Sequence, residues 1–286
     1  MPRVLVCGAG GFIGRAIATQ LRSAGLDVLA PRSHELDFTQ LANAPDWLAH
    51  LQGVHAVVNA VGVLRESRRR PMDLVHHRAP AALFDACAQL GVRRVVQVSA
   101  LGIEASMTLY GRSKHAADEH LHALRDAGRL DATVLRPSIV FGPEGVSSQL
   151  FMRLARLPLR VLPAVALRAR AQPVAVGDLA NAVAQLLAMP APPARLSAVG
   201  PRALSLADFI AALRQQLGHG PARTIALPDT PSRWSARLGD CIPAQPWCSE
   251  TLNLLQTDNV DDVEPFSAVL GRPPRAPETL LEATWG

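Results

Sequence analysis

Residues 3–14 read RVLVCGAGGFIG, so a short apolar run meets a glycine-rich turn without a break. Ile13, Ala16, Ile17 and Leu21 then recur at helical spacing. Strand, turn and helix thus stand in the order that a dinucleotide-binding loop requires. Glycines let the backbone approach a pyrophosphate, and the helix N-terminus offers unpaired N–H donors and the positive end of its dipole. Gly8, Gly11 and Gly14 fit the spacing G-x-x-G-x-x-G. The alternative set at 8, 10 and 13 fails, because position 13 is isoleucine. Gly8, Gly11, Phe12, Ile13 and Gly14 are the first candidates for cofactor contact.

Outward from this turn the pattern repeats. Residues 27–30 form a second strand ending in Pro31-Arg32-Ser33. An acidic residue at that tip would hold the ribose hydroxyls of NAD, whereas Arg32 and Ser33 suit the extra phosphate of NADP. The expected cofactor is therefore NADP(H), favoured over NAD(H). Asp37-Phe38 follows in a loop from which the aspartate could reach an adenine amino group. Residues 54–59 read as a third strand, and the small Ala60-Val61-Gly62 after it lets the chain pass close to a ribose. A helix from about Met72 to Leu90, a strand at 94–99, a helix from Tyr110 to about Arg125 and a strand at 131–135 complete the series. That last strand delivers Pro137 and Ile139, also cofactor-contact candidates. Alternating strands and helices predict an α/β fold with a doubly wound parallel sheet. Ligands in such sheets lie beyond the strand C-terminal ends, where Gly8, Arg32, Ala60, Ser99 and Pro137 all fall.

All but one of the 29 basic residues are arginine, and the single lysine stands four residues after the single tyrosine: Tyr110-Gly111-Arg112-Ser113-Lys114. Lysine is a compact ammonium on a flexible stem, where arginine is a planar fork. At i and i+4 of a helix the two side chains share a face. There an ammonium can hold a ribose hydroxyl and lower the pKa of a nearby phenol from its reference of about 10, making it a usable proton donor or acceptor.

Composition sets the outer limits. Apolar residues are 49% of the 286 and aromatics 4%, so a sizeable core must be built from Leu, Val and Ala. The formal charge is +5, but the arginines are scattered and no groove-reading motif or aromatic platform accompanies them, which argues against nucleic acid as a partner. The densest run, Arg65 to Arg70, reads as a solvated loop, with phosphate or membrane-surface contact as the lesser alternative. Four cysteines without CxxC pairs, and histidines without ligand spacing, point to no metal. No signal peptide and no stretch of roughly 18 apolar residues is seen, so the expectation is a cytoplasmic protein, with peripheral attachment to the inner membrane left open.

The expected domains are 1–145, binding the dinucleotide, and 146–286, a smaller substrate-covering region. Residues 172–188 should return to the sheet as a strand and helix, with Asp178 as N-cap. A helix is expected at 205–217, and Trp234 and Trp247 are expected to be packing anchors. Arg153, Arg156, Arg160, Arg168 and Arg170 either meet a phosphorylated or nucleotide-linked substrate or solubilise an apolar helix and its loop.

With the glycine turn, YGRSK and LRPSIVFGPEG (135–145) in order, the chain resembles the atypical and extended short-chain dehydrogenase/reductases, proteins of Rossmann fold. VQVSALG, RARAQPVAVGDLANAV and LLQTDNV make it similar to the branch of the nucleotide-binding accessory subunit of respiratory complex I and its bacterial homologues. The resemblance implies that Tyr110 is the acid/base, that Lys114 binds the nicotinamide ribose, and that Ser99 orients the substrate. Where related enzymes often carry an asparagine, this chain has His76. Two functions follow from it. One is an NADP(H)-dependent oxidoreductase or epimerase-type enzyme acting on a small carbonyl or alcohol. The other is a non-catalytic NADP(H)-binding assembly factor or redox sensor on a respiratory or other membrane complex.

Overall fold

The computed structural model describes residues 2–104, 106–242 and 247–285. Its main sheet contains β1 (Arg3–Cys7), β2 (Asp27–Leu29), β3 (Ala56–Asn59), β4 (Arg94–Val98) and β5 (Asp131–Pro137). A sixth strand, Arg195–Ala198, lies outside β5, and the spatial order from it is β5-β4-β3-β1-β2. Every pairing from β2 through β5 is parallel. The chain starts at β1, runs to β2 on one side and then crosses to β3 on the other. The order therefore reverses between β1 and β3, and the crevice at that reversal is where such sheets take their ligands. Register brings Cys7, Asn59 and Gln97 level with one another, so the loops after β1, β3 and β4 leave the sheet together.

These strands read as nearly continuous apolar runs because both faces are covered. Leu5, Val57, Val95 and Val134 share one core cluster with Leu83, Phe84 and Leu121 from the flanking helices. Each such side chain contributes about 1.5–3 kcal/mol when fully buried. The helices on the chain's first half are α1 (Phe12–Ser23), the single turn α2 (Ala44–Trp47), α3 (Ala79–Leu90) and α4 (Leu109–Asp126). A π-helical turn, Leu74–Arg78, leads into α3. Helix α4 starts where the Thr108 hydroxyl accepts the Gly111 N–H, and α3 stops at Gly91 in the left-handed region (φ 74°).

Two compact units make up the chain: Met1–Pro137 with Leu179–Ser197, and Ser138–Asp178 with Ala198–Gly286. The second has its own core, in which the Phe209 ring meets Phe141 and Phe151 edge-on at 5.5 and 5.7 Å. A helix at Val146–Arg156, another at Leu206–Gln216 with Ser205 as N-cap, and a parallel ribbon of Leu159–Pro163 with Arg223–Leu227 surround it.

Two sequence expectations are corrected here. Asp178 is not an N-cap: it lies in the first turn of the helix Val176–Ala188, and its buried carboxylate accepts the Arg275 N–H and the Arg272 guanidinium. A buried charge needs such partners more than a helix end needs a cap. Trp234 is not a packing anchor. The helix Asp229–Asp240 buries Ser232, Ala236 and Gly239, with Gly239 so close to the Trp247 carbonyl that a Cβ would stand 2.2 Å from it. Small residues permit that approach, and Trp234 is left 62% exposed. Trp247 is half-buried and donates to Ser235 at 3.1 Å.

Candidate functional site

The glycine turn after β1 has little freedom of sequence. Gly8 has φ 81°, and a Cβ there would stand 2.9 Å from the Ala60 carbonyl. A Cβ on Gly14 would come within 2.1 Å of the Gly8 oxygen. Gly11 donates its N–H to that same oxygen at 2.9 Å, which closes the turn. Gly10 is different, with nothing within 4 Å of a Cβ position, so space lies over the turn beside the start of α1. No side chain caps that helix N-terminus, and Phe12 and Ile13 form its first turn. A tight turn, an open side and uncapped N–H donors fit a dinucleotide pyrophosphate.

The neighbouring loops have separate supports. Arg32 is exposed beyond β2; its N–H donates to the Glu35 carboxylate at 2.6 Å, and its carbonyl accepts from Glu35 and Leu36. Ser33 is exposed beside it. Asp37 caps a short turn, accepting the Thr39 N–H and hydroxyl at 2.9 Å each. The Phe38 side chain goes into the core, edge-on to Trp47 at 5.1 Å. At the end of β3, the buried Asn59 accepts the Val61 N–H and donates to Gln97 on β4, and this amide pair fixes the path of Ala60, Val61 and Gly62. A Cβ on Gly62 would lie 3.6 Å from the Lys114 ammonium and 3.7 Å from His76 Nε2.

Tyr110 and Lys114 sit on the first turns of α4. The Lys114 ammonium is buried, donates to the Val98 carbonyl at 3.2 Å and lies 5.8 Å from the centre of the Tyr110 ring. Burial pushes its pKa down to about 8, partly opposed by the Asp118 carboxylate. His76, on the π-helical turn, packs edge-on against Tyr110 with centroids 5.3 Å apart. Its protonation can be worked out from its partners. The Val63 N–H can only donate, so Nε2, 2.9 Å away, is the bare nitrogen. Nδ1 then carries the proton and donates to the Ser113 hydroxyl at 3.0 Å, which in turn donates to the Tyr110 carbonyl at 3.1 Å. Burial and the nearby ammonium lower the His76 pKa to about 3, so the ring is neutral at physiological pH.

Ser99 lies just beyond β4, buried, and its hydroxyl donates to Asp118 at 2.7 Å. Asp118 also takes two N–H groups of the buried Arg136, which in turn pairs with Glu104. Burial raises the Asp118 pKa against these partners. Pro137 ends β5 and accepts the Leu101 N–H through its carbonyl. Ile139 belongs to the second unit, where its carbonyl accepts from Val174. The first unit thus gathers Gly62, His76, Tyr110, Ser113 and Lys114 at one place, and the Ser99 hydroxyl faces Asp118 behind the lysine. His76 as a neutral, Tyr110-packed ring, Ser113 and Asp118 were missed as site residues in the sequence. Asp118 had a signal there, since Tyr110, Lys114 and Asp118 form an i, i+4, i+8 stripe on one helix face.

A parallel sheet reversing at β1/β3, with a glycine turn at the reversal and a Tyr/Lys pair beyond β4, defines a Rossmann-like protein of the NAD(P)-binding class. Residues 4–196 match the NAD dependent epimerase/dehydratase family, and the chain belongs to it. It is 24% identical over 265 residues to the rat (Rattus norvegicus) NADH dehydrogenase [ubiquinone] 1 alpha subcomplex subunit 9, mitochondrial, covering 86% of this chain and 69% of the relative. Among solved structures, the dTDP-4-dehydrorhamnose reductase of Bacillus anthracis str. Ames in complex with NADP superposes with a TM-score of 0.73 at 15% identity, covering 100% of this chain and 99% of that one. The dTDP-glucose 4,6-dehydratase of the same organism in complex with NAD gives 0.72 at 14%, covering 99% and 95%. Proteins of this fold hold either dinucleotide. Among the described residues, no helix is long and apolar enough to cross a membrane.

Proposed function

We propose that the chain is an NADP(H)-dependent oxidoreductase or epimerase-type enzyme acting on a small carbonyl or alcohol, with Tyr110 as its acid/base. The single observation carrying this reading is the only lysine, buried 5.8 Å from the centre of the only tyrosine's ring and held at a pKa of about 8. Gly8, Gly11, Phe12, Ile13 and Gly14 would hold the pyrophosphate. Asp37 and the Phe38 backbone would meet the adenine, Ala60, Val61 and Gly62 the ribose, and Pro137 the nicotinamide end. Arg32 and Ser33 are proposed to hold the 2′-phosphate; both are exposed, and among the described residues nothing pairs with the Arg32 guanidinium. Bound there, the cofactor supplies or accepts a hydride.

Tyr110 would give its phenolic proton to the substrate oxygen as that oxygen gains charge, and take it back in the reverse direction. Lys114 would hold the ribose hydroxyls and favour the phenolate electrostatically. Neutral His76 and Ser113 keep the start of α4 in place, so that the phenol is presented in one orientation. Ser99 is proposed to orient the substrate oxygen: its hydroxyl, which donates to Asp118 in the ligand-free protein, would turn to donate to that oxygen. An Arg32→Asp exchange tests the cofactor half. NADPH should bind at least about tenfold more weakly, with NADH unaffected or tighter. Equal loss for both dinucleotides would remove Arg32 from the phosphate site.

A second reading has its own support in the similarity to a subunit of the mitochondrial NADH dehydrogenase. There the chain binds NADP(H) without turnover, as an assembly factor or redox sensor on a respiratory or other membrane complex. It requires cofactor affinity that survives Tyr110→Phe and a rate of NADPH consumption no greater than in that variant.

A further inference from the structure

The helix Asp229–Asp240 is amphipathic in an inverted sense: its small residues point inward and its large apolar ones outward. Ser232, Ala236 and Gly239 are buried, whereas Trp234 is 62%, Leu238 68% and Ile242, just past its end, 50% exposed. Trp234 and Leu238 are one turn apart, so they form a ridge along the solvent side. Arg233 and Arg237 edge that ridge, and the Arg237 guanidinium lies over the Trp234 ring at 5.7 Å. The acids of the helix stand elsewhere: Asp229 opens its first turn, and Asp240 accepts the Ser249 N–H and hydroxyl at 2.9 and 2.6 Å. The strand leading into this helix belongs to a ribbon that also turns apolar side chains to solvent. Leu159 and Val161 are 49% and 54% exposed, and Ile225, directly opposite Val161, is 44% exposed.

We propose that the Trp234–Leu238 ridge docks on the surface of an anionic lipid bilayer. Its shape and chemistry choose that occupant. The exposed arginines flanking the indole complement an anionic surface, and a bilayer interface yields to projecting apolar side chains. An indole belongs at headgroup depth, and arginines beside it can reach upward to lipid phosphates while their stems lie against apolar surface. Attachment of this kind is peripheral and reversible, since two or three side chains provide a small apolar area whose binding is completed by charge. This proposal is independent of whether Tyr110 turns a substrate over.

The test is flotation of the full chain with vesicles of phosphatidylcholine alone and of phosphatidylcholine with phosphatidylglycerol, at low and high salt. Wild type should float with the anionic vesicles, and added salt should weaken binding. Trp234→Ser with Leu238→Ser should reduce the bound fraction about tenfold. Arg233→Gln with Arg237→Gln should reduce it on anionic vesicles only. Circular dichroism and NADPH affinity, which the glycine turn governs, should be unchanged in both variants. Wild type that does not float, or serine variants that float equally, would overturn the proposal. So would a concentration-dependent dimer of wild type that the serine variants abolish, because the ridge would then be a contact between copies.

Discussion

Replacing Lys114 by methionine should make the ligand-free protein more stable, although it removes a residue central to the proposed site. Burial lowers the Lys114 pKa from an ordinary 10.5 to about 8. At about 1.4 kcal/mol per tenfold change in proton affinity, the folded state holds this ammonium at a cost of roughly 3 kcal/mol. Methionine has nearly the same length and no charge. Its substitution leaves the Val98 carbonyl without its donor, a loss of about 1 kcal/mol, so the net gain at pH 7 is about 2 kcal/mol. For a unit of this size that raises the melting temperature by about 5 °C. The pH dependence fixes the cause. Between pH 8 and 10.5 the unfolded chain binds more protons at Lys114 than the folded one, so wild-type stability rises across that window. Lys114→Met lacks this rise, and the two proteins should converge near pH 10. Urea denaturation of both at pH 7 and pH 10 measures it. A variant less stable than wild type at pH 7, or a difference that does not change with pH, would refute the reasoning.

Three further results are expected. Gly14→Ala should abolish NADPH binding and reduce stability by 2 kcal/mol or more, on the order of a core overpacking, because its Cβ would stand 2.1 Å from the Gly8 oxygen; Gly10→Ala, with open space around it, should do neither. Fluorescence titration and thermal melts separate the two. Ser99→Ala should cost about 2 kcal/mol, since it removes a hydrogen bond to the buried Asp118 carboxylate, and any drop in turnover beyond that of equally destabilised controls measures its role toward substrate. His76→Asn should leave NADPH affinity within about threefold while costing about 1 kcal/mol of stability, because the shorter side chain cannot keep both the Val63 N–H and the Ser113 hydroxyl as partners; thermal melts read the difference.

What the sequence made legible was local. Residues 3–14 spell strand, turn and helix in one short stretch, and the reasons for Gly8, Gly11 and Gly14 are contacts within the motif or with the adjacent loop. The Tyr110–Lys114 pair needed only helical spacing. Three-dimensional register decided the rest. His76 meets Ser113 across 37 residues because a π-helical turn aims it at α4, and neither the turn nor its direction follows from an HH pair. Arg136 on β5 reaches Asp118 on α4, a pairing that a scattered arginine population conceals. Trp234 reads as core from its size alone; which face of its helix packs is set by the closeness of Gly239 to the Trp247 carbonyl.

The proposed chemistry rests on Tyr110 giving its proton to a substrate oxygen, with bound NADPH as the group that would supply the hydride. The most direct measurement supplies NADPH deuterated at the nicotinamide C4, together with a host metabolite extract, to wild type and to Tyr110→Phe. Mass spectrometry then follows the label. The expected result is deuterium in an organic product with wild type, at least about a hundredfold less with Tyr110→Phe, and equal NADPH affinity in the two proteins. Labelled product formed equally by both would contradict Tyr110 as the acid/base.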